Sequence, residues 1–239
     1  MPQITRREAM GLLAVTVAGG ALLPRSAFAQ ESLMDADVCV IVPEVTEGPY
    51  YFDPALLRAD ITEGRPGLPM TLQMQVVDQG CTPIADARID VWHCDADGIY
   101  SGYNGYEGQT FMRGTQMSDA DGMVTFSTVY PGWYRGRTTH IHFKVFLNET
   151  TVLTGQIFFP DEVSERVYAT VAPYTTHTNR DTFNNEDGIA QQAGAASVAS
   201  VEQTAEAYTA KLVVGVDPNA VSTGQMGFPG GPGAPPPAA

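Results

Sequence analysis

Basic residues, cysteine and histidine are all scarce in this chain. Thirteen Lys+Arg stand against 27 Asp+Glu, with three Cys and four His in 239 residues. The formal net charge of -14 repels phosphate backbones and anionic membrane surfaces, which argues against nucleic acid as a partner. The apolar stretch at residues 10–23 is broken by Gly19 and Gly20 and falls short of the roughly 20 residues that span a bilayer. No Gly-x-Ser-x-Gly elbow occurs, which removes the common serine-esterase reading. Asp-Ala-Asp-Gly appears twice, at 95–98 and 119–122, but without the remaining ligands of a calcium loop; both read as turns. What is present, 44% hydrophobic and 17% charged, describes a globular chain long enough for one sizeable core.

The ends differ from the middle. Arg6-Arg7, the weak apolar stretch and Ala27-Phe28-Ala29 form a tripartite pattern that resembles a twin-arginine export signal over residues 1–29, with Ala9 a departure from it. Its removal would take away three Arg and one Glu and bring the charge to -16. The expectation is an exported protein, periplasmic or extracellular, with no stable membrane association after processing. In an oxidising compartment the three cysteines imply one disulfide and one spare thiol. Spacing does not choose the pair; Cys39 with Cys81 is preferred, leaving Cys94 as a buried thiol near Trp92. Residues 30–69 are polar and turn-rich. Residues 218–239 belong to a flexible tail, with four Gly and five Pro between 227 and 239.

Between these ends, at 70–217, β signals dominate. Alternating runs at 71–78, 88–93, 123–128, 139–147, 152–159 and 211–216 are separated by turn pairs such as Asp97-Gly98, Asp121-Gly122 and Pro131-Gly132. They predict an all-β fold, an antiparallel β-sandwich with long loops and little helix. Residues 161–200 read as irregular loop and 202–210 as a short helix.

Two histidines share one strand, in Thr139-His140-Ile141-His142-Phe143. Period-two alternation puts His140 and His142 on one face, a common way to hold a metal ion. His-x-His also occurs in cupin oxygenases, but those place a Glu ligand shortly after, where Lys144-Val145-Phe146-Leu147 stand here. The run from Val129 to His142, with Tyr130-Pro131-Gly132-Trp133-Tyr134-Arg135-Gly136-Arg137, resembles the intradiol ring-cleavage dioxygenases. So do Ile89-Asp90-Val91-Trp92-His93-Cys94-Asp95-Ala96-Asp97-Gly98-Ile99-Tyr100-Ser101 and Thr46-Glu47-Gly48-Pro49-Tyr50. The resemblance covers residues 39–160, in the family's order, and is nearest to short, secreted, protocatechuate-type members.

That resemblance implies one Fe(III) per chain held by Tyr100, Tyr134, His140 and His142, and cleavage of a catechol-type ring by dioxygen to a muconate-type diacid. It implies Tyr134 as the phenolate that takes a substrate proton, Arg137 as the cation that stabilises the electron-rich ring, and Gln156 as a pocket amide. Thr46, Pro49 and Tyr50 would line the substrate. Phenolate oxygen is a hard, charge-donating ligand suited to a ferric ion. The implied partners are a small aromatic diol and dioxygen; which catechol, and whether the chain forms a homo-oligomer, stays open. His93 is expected to be buried and structural, His177 to touch solvent, and Tyr130 to stand outside the ligand set; Tyr103 and Tyr106 lie close enough to Tyr100 to substitute for it, Tyr100 being preferred because it falls in the Gly-Ile-Tyr-Ser match. Arg113 and Arg135 are read as turn residues. The rival reading is a non-catalytic extracellular β-sandwich binding module on the same scaffold.

Overall fold

The computed structural model describes residues 39–53, 55–204 and 207–224. The export signal read over residues 1–29 lies outside this range, as does the Gly/Pro-rich end of the tail. Among the described residues eight strands make two sheets. In the first, β4 (Met123–Val129), β1 (Pro69–Val77), β8 (Tyr208–Gly215) and β7 (Ser200–Gln203) lie in that order; in the second, β3 (Arg113–Met117), β2 (Arg88–Trp92), β5 (His140–Leu147) and β6 (Thr150–Phe158) do. The ladders are antiparallel except that β1 and β8 run parallel.

Alternation explains the sandwich. Met70, Leu72, Met74 and Val76 of β1, with Ala210, Leu212 and Val214 of β8, face Ile89 and Val91 of β2 and Ile141, Phe143 and Val145 of β5 across one core. Apart from Ala210, each of these side chains contributes about 1.5–3 kcal/mol by leaving water. Gly155 on β6 pairs with Phe143, and any Cβ there would run into the Phe143 ring. This close packing fixes β5 against β6 beneath the histidines.

Three expectations are corrected. Residues 161–200 are not all loop: α1 (Asp161–Thr170) buries Val163, Val167 and Tyr168, and α2 (Gly188–Ala193) is capped by Asp187, whose side chain accepts from Ile189 and Ala190 N–H. Residues 202–210 are not a helix; β7 and β8 pair there, because burying Tyr208, Ala210 and Leu212 on one side is a period-two pattern. Arg113 is not in a turn but opens β3, a strand whose Arg-Gly-Thr-Gln-Met sequence carries no apolar alternation.

The disulfide joins Cys39 to Cys81 and Cys94 is free and buried, as preferred from the sequence. The segment after Cys39 crosses the outer face of the second sheet. It bonds to the β6 edge through Val45 N–H to Thr154 O (3.0 Å) and to the β3 edge through Arg58 N–H to Thr115 O (3.0 Å). This covering explains why polar residues of that face, including Asp90, His142, Lys144, Thr154 and Gln156, are buried. Residues 222–224 return to the same edge: Glu44 Oε1 accepts from the Thr223 and Gly224 N–H groups and from the Ser222 hydroxyl. Among the described residues no helix is long and apolar enough to cross a membrane.

Candidate active site

Register builds the floor of the site. Arg113, Trp92, His142 and Gln156 are successive cross-strand partners on β3, β2, β5 and β6, so they form one row on the covered face. His140 lies two residues before His142 and points the same way; the two Nε2 atoms are 3.1 Å apart. The Trp92 ring stacks on His142 at 4.9 Å and 11°, holding the imidazole plane.

Two loops bring phenols to this pair. The loop after β2 is set by Asp95, whose Oδ1 accepts from Asp97 and Ile99 N–H and whose carboxylate also pairs with Arg65; it delivers Tyr100. The loop after β4 docks on it through Gly132 N–H to Asp95 O (3.0 Å), where only glycine avoids the Asp95 and Ala96 carbonyls, and delivers Tyr134. Tyr134 Oη is 3.0 Å and Tyr100 Oη 3.4 Å from His140 Nε2. Tyr50 stacks on Tyr100 at 4.2 Å and 14°. Gly48, at φ +69°, brings the covering segment so near that a Cβ would lie 3.3 Å from His142 Cε1.

His140 Nδ1 lies 2.6 Å from Thr138 O, so it carries the proton and Nε2 turns its lone pair into the cup. Burial holds both imidazoles neutral: His140 is lowered to about 3, with Arg137 adding to the effect, and His142 lies well below the ordinary value. Burial also pushes the Tyr134 phenol up to about 12, partly offset by the Arg137 guanidinium, and holds Tyr100 well above its usual range. Buried neutral imidazoles with phenols that release protons only to a strong positive charge form a receptor for a hard, polarising cation. Separations of 3.0–3.4 Å from His140 Nε2 to the other three donors suit neighbours around one ion, which sit roughly 3 Å apart when bonds are about 2.1 Å and at right angles. The four donors therefore fit a metal. Among the described residues no group of three or more His, Cys, Asp and Glu stands in metal-holding position.

Arg137 and Gln156 border the cup. Arg137 Nη2 donates to Gln156 Oε1 (2.5 Å), Nε to Asp187 Oδ2 (2.8 Å), and Nη1 lies 3.5 Å from His140 Nε2. Gln156 Nε2 donates to Thr46 O (2.9 Å), tying the covering segment to β6. Of the expected substrate-pocket residues, Thr46 and Tyr50 are partly or fully buried against this region, whereas Pro49 is exposed on the turn between them. The Tyr50 hydroxyl is buried and has no hydrogen-bond partner among the described residues.

The bystanders fall elsewhere. His93 is buried, Nδ1 2.7 Å from Cys94 O and Nε2 2.8 Å from the Thr128 hydroxyl. His177 is partly exposed and stacks on Trp133 at 4.1 Å. Tyr130 bonds Ser164 in the core, Tyr103 reaches Tyr51 O, and Tyr106 lies under Arg65. Arg113 is buried in β3 and holds Tyr50 O and Ser101, so it braces the segments carrying Tyr50 and Tyr100. Sequence reasoning missed Asp187; the only local signal is a capping aspartate before α2. It also missed the pairing of Lys144 with Glu47 (2.5 Å).

Two facing sheets, with two imidazoles and two phenols gathered under a covering segment, define a β-sandwich of the oxygenase class. A family model described as Dioxygenase matches residues 46–179, more than half of the chain and every donor of the cup. The chain belongs to the intradiol ring-cleavage dioxygenase family. The intradiol ring-cleavage dioxygenase from Tetranychus urticae is 32% identical, with a TM-score of 0.75, over 79% of this chain and 99% of that one. The dioxygenase domain of a dioxygenase–carbohydrate-binding fusion from Streptomyces sp. SirexAA-E is 27% identical, with a TM-score of 0.58, over 74% and 99%. A chlorocatechol 1,2-dioxygenase of Cupriavidus pinatubonensis is 31% identical over 47% of this chain and 52% of its own length. The chain thus spans about half the length of the curated relatives it matches.

Proposed function

We propose that this protein is an exported Fe(III)-dependent dioxygenase that cleaves a catechol-type ring between its two hydroxylated carbons, giving a muconate-type diacid with both oxygen atoms of dioxygen incorporated. The observation that carries the reading is the convergence of His140, His142, Tyr134 and Tyr100 on one point beside Arg137. A module kept only for binding would have little use for that arrangement.

In this reading Tyr100, Tyr134, His140 and His142 hold one ferric ion, which supplies a strongly polarising centre that acidifies a bound diol and makes its ring reactive toward dioxygen. The residues do the rest. His140, locked by Thr138 O, keeps its lone pair on the centre, and Trp92 fixes the plane of His142. Tyr134, the less buried phenol, would accept a proton from the diol at Oη. Arg137 Nη1 faces the cup and stabilises the negative charge that gathers on the activated ring. Gln156, held between Arg137 and Thr46 O, keeps the pocket wall in place. Tyr50 and the Gly48 turn close the cup from above and exclude water.

The substrate is a catechol without a carboxylate. Lys144, the cation two residues beyond His142, is engaged by Glu47 and lies over the Tyr51 ring at 4.2 Å; Arg113 is spent on backbone carbonyls and Ser101. Neither is left to clamp a carboxylate, and the acidic chain repels anions at long range. The test is to load purified protein with iron and follow colour, metal content and oxygen uptake with a panel of catechols. Red protein with about one iron per chain and uptake on catechol is expected. Colourless protein that prefers zinc, with no uptake, would overturn the reading.

A further inference from the structure

Arg137 has three guanidinium nitrogens, and only Nη1 faces the cup. Nη2 is engaged by Gln156, and Nε donates to Asp187 Oδ2 at 2.8 Å. Asp187 is 3% exposed, and its carboxylate is fully used. Oδ2 also accepts from Thr138 N–H (2.9 Å), while Oδ1 accepts from Ile189 (2.8 Å) and Ala190 (3.2 Å) N–H at the start of α2. One buried group thus fastens the side chain of Arg137, the backbone that carries His140's Nδ1 acceptor, and a helix whose Ala190 and Ala193 pack against Val45 and Phe158. The anchor is rigid, because a buried ion pair with every lone pair satisfied tolerates little displacement.

We infer that Asp187 is a positioning residue for ring cleavage, acting through Arg137 by turning Nη1 into the cup. The inference rests on the dioxygenase reading and assigns to α2 a share in catalysis. Without Asp187, the guanidinium keeps its charge but is free to swing along the Gln156 direction, so binding of a neutral diol changes little while stabilisation of the charged ring is lost. The effect belongs in kcat rather than KM.

The experiment is a double-mutant cycle in the iron-loaded full chain, using Asp187→Ser, Arg137→Lys and the pair. Serine is a good helix N-cap, so Asp187→Ser keeps the start of α2 while deleting the ion pair. Asp187→Asn serves as a second variant of near-equal volume should the first fold poorly. Expected is a fall in kcat of about 10- to 100-fold for Asp187→Ser, the scale of one charged hydrogen bond, with KM changed less than about threefold. In the Arg137→Lys background the same substitution should cost less than about threefold. In 15N-arginine-labelled protein loaded with diamagnetic Ga(III) in place of iron, the slowly exchanging Nε–H signal of Arg137 should vanish in Asp187→Ser, whereas Asp187→Asn keeps an amide oxygen that can accept from it. Costs that multiply in the double variant, an unchanged kcat, or an Nε–H signal that persists in Asp187→Ser would overturn the inference. A wild-type protein that opens no catechol would overturn the underlying function instead, a result distinct from a wild type that works and variants that match it.

Discussion

Replacing His93 with glutamine should flatten the acid side of the stability curve. His93 is buried and neutral: Nδ1–H donates to Cys94 O, which leaves Nε2 to accept from the Thr128 hydroxyl. Burial lowers its pKa from 6.5 to about 4, the bond to Cys94 O offsetting a smaller part. The unfolded chain therefore binds a proton between these values and the folded chain does not. The stabilisation is fully present above pH 6.5 and is lost as pH falls toward 4. One pKa step is worth about 1.4 kcal/mol, so the loss is about 2.5 kcal/mol by pH 4.5 and about 3 kcal/mol by pH 4. Denaturant unfolding of wild type and His93→Gln at pH 7.5, 6, 5 and 4.5 measures it. His140 and His142 resist protonation in both proteins and cancel in the difference. The variant should start less stable at neutral pH and close the gap by about 2.5 kcal/mol at pH 4.5. Parallel curves would refute a neutral buried His93.

Tyr134→Phe and His142→Ala should each remove iron binding or turnover with cooperative unfolding retained, checked by metal analysis and circular dichroism; full iron content in His142→Ala would remove it from the donor set. Gly155→Ala should destabilise by about 1–3 kcal/mol, read by denaturant midpoint, because the added methyl meets the Phe143 ring. Specificity constants at low and high salt should place catechol at or above protocatechuate in wild type, and Glu47→Gln, by releasing Lys144, should raise protocatechuate about tenfold. An unchanged preference in that variant would show that Lys144 does not face the substrate.

What was legible followed from periodicity and short-range motifs. His140 and His142 share a face because a strand alternates, and the same rule carried β1, β2, β4, β5 and β6. The loop tyrosines were readable through family resemblance, since nothing local tells Tyr100 from Tyr103. All of β3 was invisible because Arg113-Gly114-Thr115-Gln116-Met117 carries no apolar alternation; the burial of Arg113 comes from the chain crossing above it. The α1 helix was legible in hindsight, with Pro160 before Asp161-Glu162 and apolar Val163 and Val167 four apart. Asp187 was not, because its partner is 50 residues away and only the fold brings the two together. The pairing of Lys144 was hidden for the same reason: Glu47 arrives from the segment that crosses the sheet.

The central claim concerns which bond breaks and where the oxygen goes. Iron-loaded protein, catechol and 18O2 in unlabelled water, with products resolved by mass spectrometry, test both together. The account predicts a muconate-type diacid with one 18O in each new carboxyl group. A semialdehyde from cleavage beside the diol, or a quinone with no label, would contradict it.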